Sequence, residues 1–99
     1  MLSESDKDLF SFLLKLDPTL SPREGLKKII IDRMRMESRK YDLIKRRFER
    51  KYQMDFFSFK NSDLMKTPSW ETEEDYFNWE LAVTKLEELR EEIERLTKS

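Results

Sequence analysis

Apolar side chains recur along this chain at spacings of three and four, with polar residues between them. That period belongs to α-helices that bury one face. Residues 5–16 are predicted as a first helix, with Ser5 or Asp6 able to cap its start. Leu9, Phe10, Phe12, Leu13, Leu14 and Leu16 cover most of its girth, so it is expected to be buried against a neighbour. Asp17-Pro18 stops it, because the residue before a proline is pushed out of the helical region.

Ser21-Pro22-Arg23-Glu24 reads as a capping box, with Ser21 as the cap and Glu24 at the third helical position. Pro22 falls at the first helical position, where its missing N–H is harmless. A long helix is predicted over 22–52, and Gly25 is tolerable in its first turn. Leu26, Ile30, Met34, Tyr41, Ile44, Phe48 and Tyr52 form one apolar stripe, interrupted at Glu37. Ile29, Met36 and Leu43 form a second line, each seven residues from the next. Two lines imply contact with more than one neighbour.

A short helix is predicted over 55–65, capped by Asp55. Met54 before the cap and Phe59 at the fourth helical position have the spacing of a hydrophobic staple, which fixes the angle of entry. Lys66-Thr67-Pro68-Ser69 reads as a loop. A last helix is predicted over 70–97, with Glu71, Glu73, Glu74 and Asp75 crowding the end where the helix dipole favours negative charge. Trp79, Ala82, Leu86, Leu89, Ile93 and Leu96 make a heptad-like seam. Tyr76, Phe77 and Val83 widen its front half into a core surface. The tail from Lys85 keeps only a narrow stripe, suited to solvent or to a coiled partner.

With one glycine and three prolines, the chain favours long helices over a sheet of tight hairpins. The expected fold is all-α: a single domain over 1–99 with about four helices. The long basic helix should pack antiparallel against the acidic C-terminal helix, whose tail is coiled-coil-like. Ninety-nine residues, 37% hydrophobic and 41% charged, leave little apolar surface to bury. A marginal monomer, a homo-oligomer or a chain completed by a partner is therefore expected.

Charge changes this picture by dividing it. Residues 23–51 hold 12 basic and 5 acidic side chains, a net of +7, whereas residues 52–99 hold 6 and 12, a net of −6. The first 22 residues add 2 basic and 4 acidic, which recovers the overall −1. The near-neutral total conceals a dipolar molecule suited to pairing with itself or with a charged partner.

Chemistry has little to work with. Cysteine and histidine are both absent, which removes thiol nucleophiles, disulfides and imidazole bases or ligands. Carboxylate pairs one turn apart, Glu71/Asp75, Glu87/Glu91 and Glu88/Glu92, are ordinary features of an acidic helix face. A helical di-metal centre would add a Glu-x-x-His element, which this chain cannot supply. There is no glycine-rich phosphate loop. The reading is a non-enzyme with no cofactor and no metal. No apolar run approaches the roughly 20 residues that cross a bilayer, and Met1-Leu2-Ser3-Glu4 is not a secretory start. A soluble, cytoplasmic chain without membrane contact is expected.

Two groups of residues are candidates for binding. Arg39, Lys40, Lys45, Arg46, Arg47, Arg50 and Lys51 could follow a phosphate backbone, with Tyr41 and Phe48 interleaved for stacking. Both aromatics also lie on the apolar stripe, and no reading motif accompanies the charge, so nucleic acid is an alternative and not the favoured ligand. Trp70, at a helix start beside a proline, suits an exposed binding anchor, while Trp79 lies on the seam.

The run Arg50-Lys51-Tyr52-Gln53-Met54-Asp55-Phe56-Phe57-Ser58-Phe59 after a long basic helix, followed by Glu74-Asp75-Tyr76-Phe77 and Trp79-Glu80, resembles small prokaryotic antitoxins of type II toxin–antitoxin pairs, of the archaeal and cyanobacterial kind. The resemblance spans about Arg39 to Leu89. It departs at Gln53, where glycine is common, and it lacks the alternating N-terminal strand of dimerising, DNA-binding antitoxins. It implies an arm that neutralises a cognate RNase-type toxin, with Trp70, Glu74, Asp75, Tyr76, Phe77, Trp79 and Glu80 as the partner-binding segment. Self-association as a structural or adaptor protein is the competing expectation.

Overall fold

The computed structural model describes residues 7–9, 11, 12, 15 and 21–99. Among them the fold is all-α, with no strand. Contacts divide the chain into two compact units, Met1–Met34 and Arg35–Ser99. In the first unit, residues 7–9, 11, 12 and 15 are helical; the rest of the helix predicted over 5–16 lies outside the described residues. Leu9 and Phe12 are exposed, so burial is not met at these two positions.

Helix α1 spans Pro22–Tyr52 and runs from the first unit into the second. Its start follows the predicted cap: the Ser21 hydroxyl accepts from the Glu24 amide at 3.1 Å, and the Ser21 carbonyl accepts from the Gly25 amide at 2.8 Å. Its end is less ordinary. Gln53 adopts φ 55°, the left-handed conformation that glycine takes without cost. A side-chain bond accompanies it, because Gln53 Nε2 donates to the Arg50 carbonyl at 2.7 Å and satisfies a group the helix leaves unpaired. Gln53→Val should lower the unfolding midpoint far more than Gln53→Gly. A β-branched residue is a true outlier at positive φ, and glycine loses only the side-chain bond. Equal midpoints for the two variants in urea titrations would contradict this account.

Helix α2 spans Phe56–Lys60 and is followed by a 3₁₀ turn, Asp63–Met65. One continuous helix over 55–65 was expected, and the break has a local cause. Asn61 Nδ2 donates to the Phe57 carbonyl at 2.9 Å and Ser62 Oγ to the Phe59 carbonyl at 2.7 Å. These side chains take acceptors at the helix end and close it. At the other end, Asp55 Oδ1 accepts from the Ser58 amide at 2.8 Å, and this bond holds the carboxyl below its ordinary value.

Helix α3 spans Trp70–Lys98, capped by Ser69, whose hydroxyl accepts from the Thr72 amide at 3.1 Å. Within the second unit the two long helices pack antiparallel. Lys51 meets Asp75, Phe48 stacks on Trp79 at 5.6 Å, and further along Arg35 and Arg39 share a groove with Leu86 and Ile93.

The core sits beside the α2 turn. Trp79 and Phe59 are each 0% exposed, with Phe48 and Ala82 also buried. Ile44, Tyr52, Met54, Phe56, Met65, Tyr76 and Val83 pack around this nucleus. The staple therefore works as its spacing implied, with Met54 against the cluster that holds Phe59. Four rings surround the Trp79 indole: Phe59 at 5.0 Å, Phe56 at 5.5 Å, Phe48 at 5.6 Å and Tyr52 at 5.9 Å. Its Nε1–H has no hydrogen-bond acceptor among the described residues, a cost of about 1–3 kcal/mol. Beyond Ala82 no residue of α3 is fully buried. The helices there flank an open groove of about 560 Å³ between Arg35, Ser38 and Arg39 on one side and Leu86, Arg90 and Ile93 on the other.

Candidate functional site

The acidic segment of α3 turns two different faces outward and inward. Taking about 100° per residue, Trp70, Phe77 and Leu81 lie about 160–180° around the helix from Trp79. They form a stripe on its outer side. Trp70 is 79% exposed, Phe77 is 59% exposed, and Leu81 is also exposed. Phe77 was expected both to widen the core and to bind a partner; among the described residues its one ring contact is with the edge of Tyr76, at 5.6 Å. Glu73 and Glu74 flank the stripe, exposed and without an ion pair among the described residues. Leu81 and Glu73 were not among the expected partner-binding residues, though spacings of seven and four from Trp70 through Phe77 to Leu81 place these three on one face.

The remaining segment residues point elsewhere. Trp79 is enclosed and offers a partner no surface, so it belongs to the core and not to the docking set. Tyr76 is half-buried against Phe56 at 5.5 Å, and the Glu80 carboxylate beside its phenol keeps that group above its ordinary value. Glu80 is itself half-buried.

Asp75 is engaged within the fold. Its Oδ2 accepts from Tyr52 Oη at 2.5 Å and from Lys51 Nζ at 2.6 Å, while the same ammonium reaches Glu71 Oε1 at 2.8 Å. Burial pushes the Asp75 carboxyl up, but the Lys51 and Tyr52 hydrogen bonds outweigh it and hold the group below its ordinary value. Burial and the Asp75 bond raise the Tyr52 phenol, and the bonds to Asp75 and Glu71 raise the Lys51 ammonium. This latch joins the last turn of α1 to the first turns of α3.

The basic candidates are scattered in their commitments. Lys51 is held in the latch. Arg46 Nε pairs with Asp42 at 2.9 Å, and Lys45 pairs loosely with Glu49 at 4.0 Å. Lys40 lies over the Tyr41 ring at 5.1 Å, and Arg47 contributes to the field at Asp75. Arg39 and Arg50 are exposed and form no ion pair among the described residues. Tyr41 is half-buried and Phe48 is in the core, which leaves no pair of free rings for base stacking on this helix. Among the described residues no helix is long and apolar enough to cross a membrane. No protein-family model, curated protein or solved structure matches the chain.

Proposed function

We propose that this chain is a protein-binding module that docks the outer face of α3 on a basic protein surface, and that its target is a cognate RNase-type toxin. The observation that carries the reading is the exposure of Trp70 and Phe77 on one long acidic helix. Large aromatic side chains held in water are costly to leave uncovered and are the residue types that anchor interfaces. Glu73 and Glu74 beside them supply the charge that steers toward a cationic cleft. Carboxylates there would occupy the places of RNA phosphates. The resemblance to type II antitoxins supplies the identity of the target, and the aromatic anchors supply the means of holding it.

The test is co-expression with the product of the adjacent gene, followed by co-purification and calorimetry. The wild-type chain should form a complex and relieve that protein's toxicity. Trp70→Ala with Phe77→Ala should weaken the complex at least tenfold, the scale of an anchor residue, while helicity stays unchanged. Absence of a complex and persistence of toxicity with the wild-type chain would overturn the proposal.

A further inference from the structure

The outer face of α1 is the counterpart of the outer face of α3. Met36 and Leu43, 59% and 66% exposed, lie about 120–140° around α1 from the buried Phe48. They were expected to touch a second neighbour, and within the second unit they remain uncovered. Arg50 stands on the same face and Arg39 at its edge, where it also borders the groove beside Leu86 and Ile93; neither has an ion pair among the described residues.

The two outer faces match in three respects. Each presents a pair of large apolar side chains seven residues apart, Met36 with Leu43 and Trp70 with Phe77. Seven residues span about 10.5 Å along either helix, so both pairs can meet in one register. The charge beside each pair is opposite in balance: Arg39 and Arg50 outnumber Asp32 on α1, and Glu73 and Glu74 flank the α3 pair. The two faces turn away from each other within one chain, so neither can cover the other.

We infer that a second copy of this chain covers the α1 outer face, seating the Trp70–Phe77 stripe of one molecule on the Met36–Leu43 stripe of the next. The contact joins unlike faces and is therefore head-to-tail. Apolar side chains at the centre of a basic face serve a protein interface, because they gain nothing from phosphates. The inference does not rest on the proposed toxin, although the same α3 face serves both and self-assembly would compete with docking. Exposed charges at the rim make the association sensitive to salt, since screening acts over about 10 Å at 0.1 M ionic strength.

Sedimentation velocity on the purified full chain tests this without any other protein. The average mass should rise above 12.2 kDa with concentration at low salt and fall back at high salt. Arg39→Glu with Arg50→Glu should shift the association at least tenfold toward monomer, and so should Glu73→Arg with Glu74→Arg. Mixing the two charge-reversed chains should restore assembly, because each then offers the other a complementary face. Circular dichroism checks folding, and Arg39→Gln with Arg50→Gln replaces the first pair if helicity is lost. A wild-type chain that stays monomeric at every concentration would overturn the inference. So would variants that assemble as well as wild type. A monomeric wild-type chain that retards duplex nucleic acid, with the retardation lost on changing Arg39 and Arg50, would assign the face to nucleic acid instead.

Discussion

Trp79→Ala is expected to unfold the second unit. Truncating a fully buried tryptophan costs about 3–5 kcal/mol, while the whole stability of a small domain is about 5–15 kcal/mol and lies at the lower end when the core is small. Here Trp79 is the hub of the aromatic nucleus, in contact with Phe48, Tyr52, Phe56 and Phe59, each of which would face a void. The far half of the hairpin offers no second core to compensate, since only half-buried residues line it. Circular dichroism in a urea series should show helicity lost at much lower denaturant than in wild type, or already absent in water. Trp79→Phe should do far less harm. It leaves a smaller cavity and removes the indole N–H that has no acceptor. A Trp79→Ala chain with a wild-type midpoint would mean that the nucleus is not what holds α1 and α3 together.

Acid should weaken the same unit through the latch at Asp75. The carboxyl is held below its ordinary value in the fold, so its contribution is complete above about pH 4, where the unfolded carboxyl is ionised as well. That contribution is lost as pH falls through the lower folded value. Tyr52 acts on the opposite side. Its raised phenol gives stability that is whole below about pH 10 and is lost as pH rises through its folded value. Asp75→Ala removes a hydrogen bond between a charged acceptor and the half-buried Tyr52 hydroxyl, a change of about 1.5–3 kcal/mol at neutral pH. Unfolding titrations at pH 7 and pH 3 should therefore show a large gap between wild type and Asp75→Ala at pH 7, narrowing at pH 3. A gap that stays constant with pH would remove the latch as the cause.

The helices were legible in the sequence wherever local chemistry marks them. Ser21-Pro22 and Tyr52-Gln53 bound the long helix where the structure has them, because caps and breakers act within a few residues. The front of the seam, Trp79 and Ala82, was equally readable as a buried face. Three things were not. The early stop of α2 depends on Asn61 and Ser62 turning back on the carbonyls of Phe57 and Phe59, a choice that residue type alone leaves open. The latch joins Lys51 and Tyr52 to a residue 24 and 23 positions away, so it exists only once the two helices are in register. Phe77 stands beside Tyr76 in sequence but about 100° from it around the helix, and that angle separates a half-buried ring from an exposed one. Grouping aromatics by adjacency merged the two roles, while helical spacing separates them.

The placement of the two tryptophans has an optical consequence. The indole at position 79 is shut among hydrocarbon rings, whereas the one at position 70 stands in water. Indole emission shifts to longer wavelength as its surroundings become more polar, and only a solvated indole meets a dissolved quencher such as iodide. The blue component of the spectrum thus reports whether the chain is folded, and the quenchable red component whether its outer face is covered. Folding and the covering of that face can be followed in one cuvette with no attached dye.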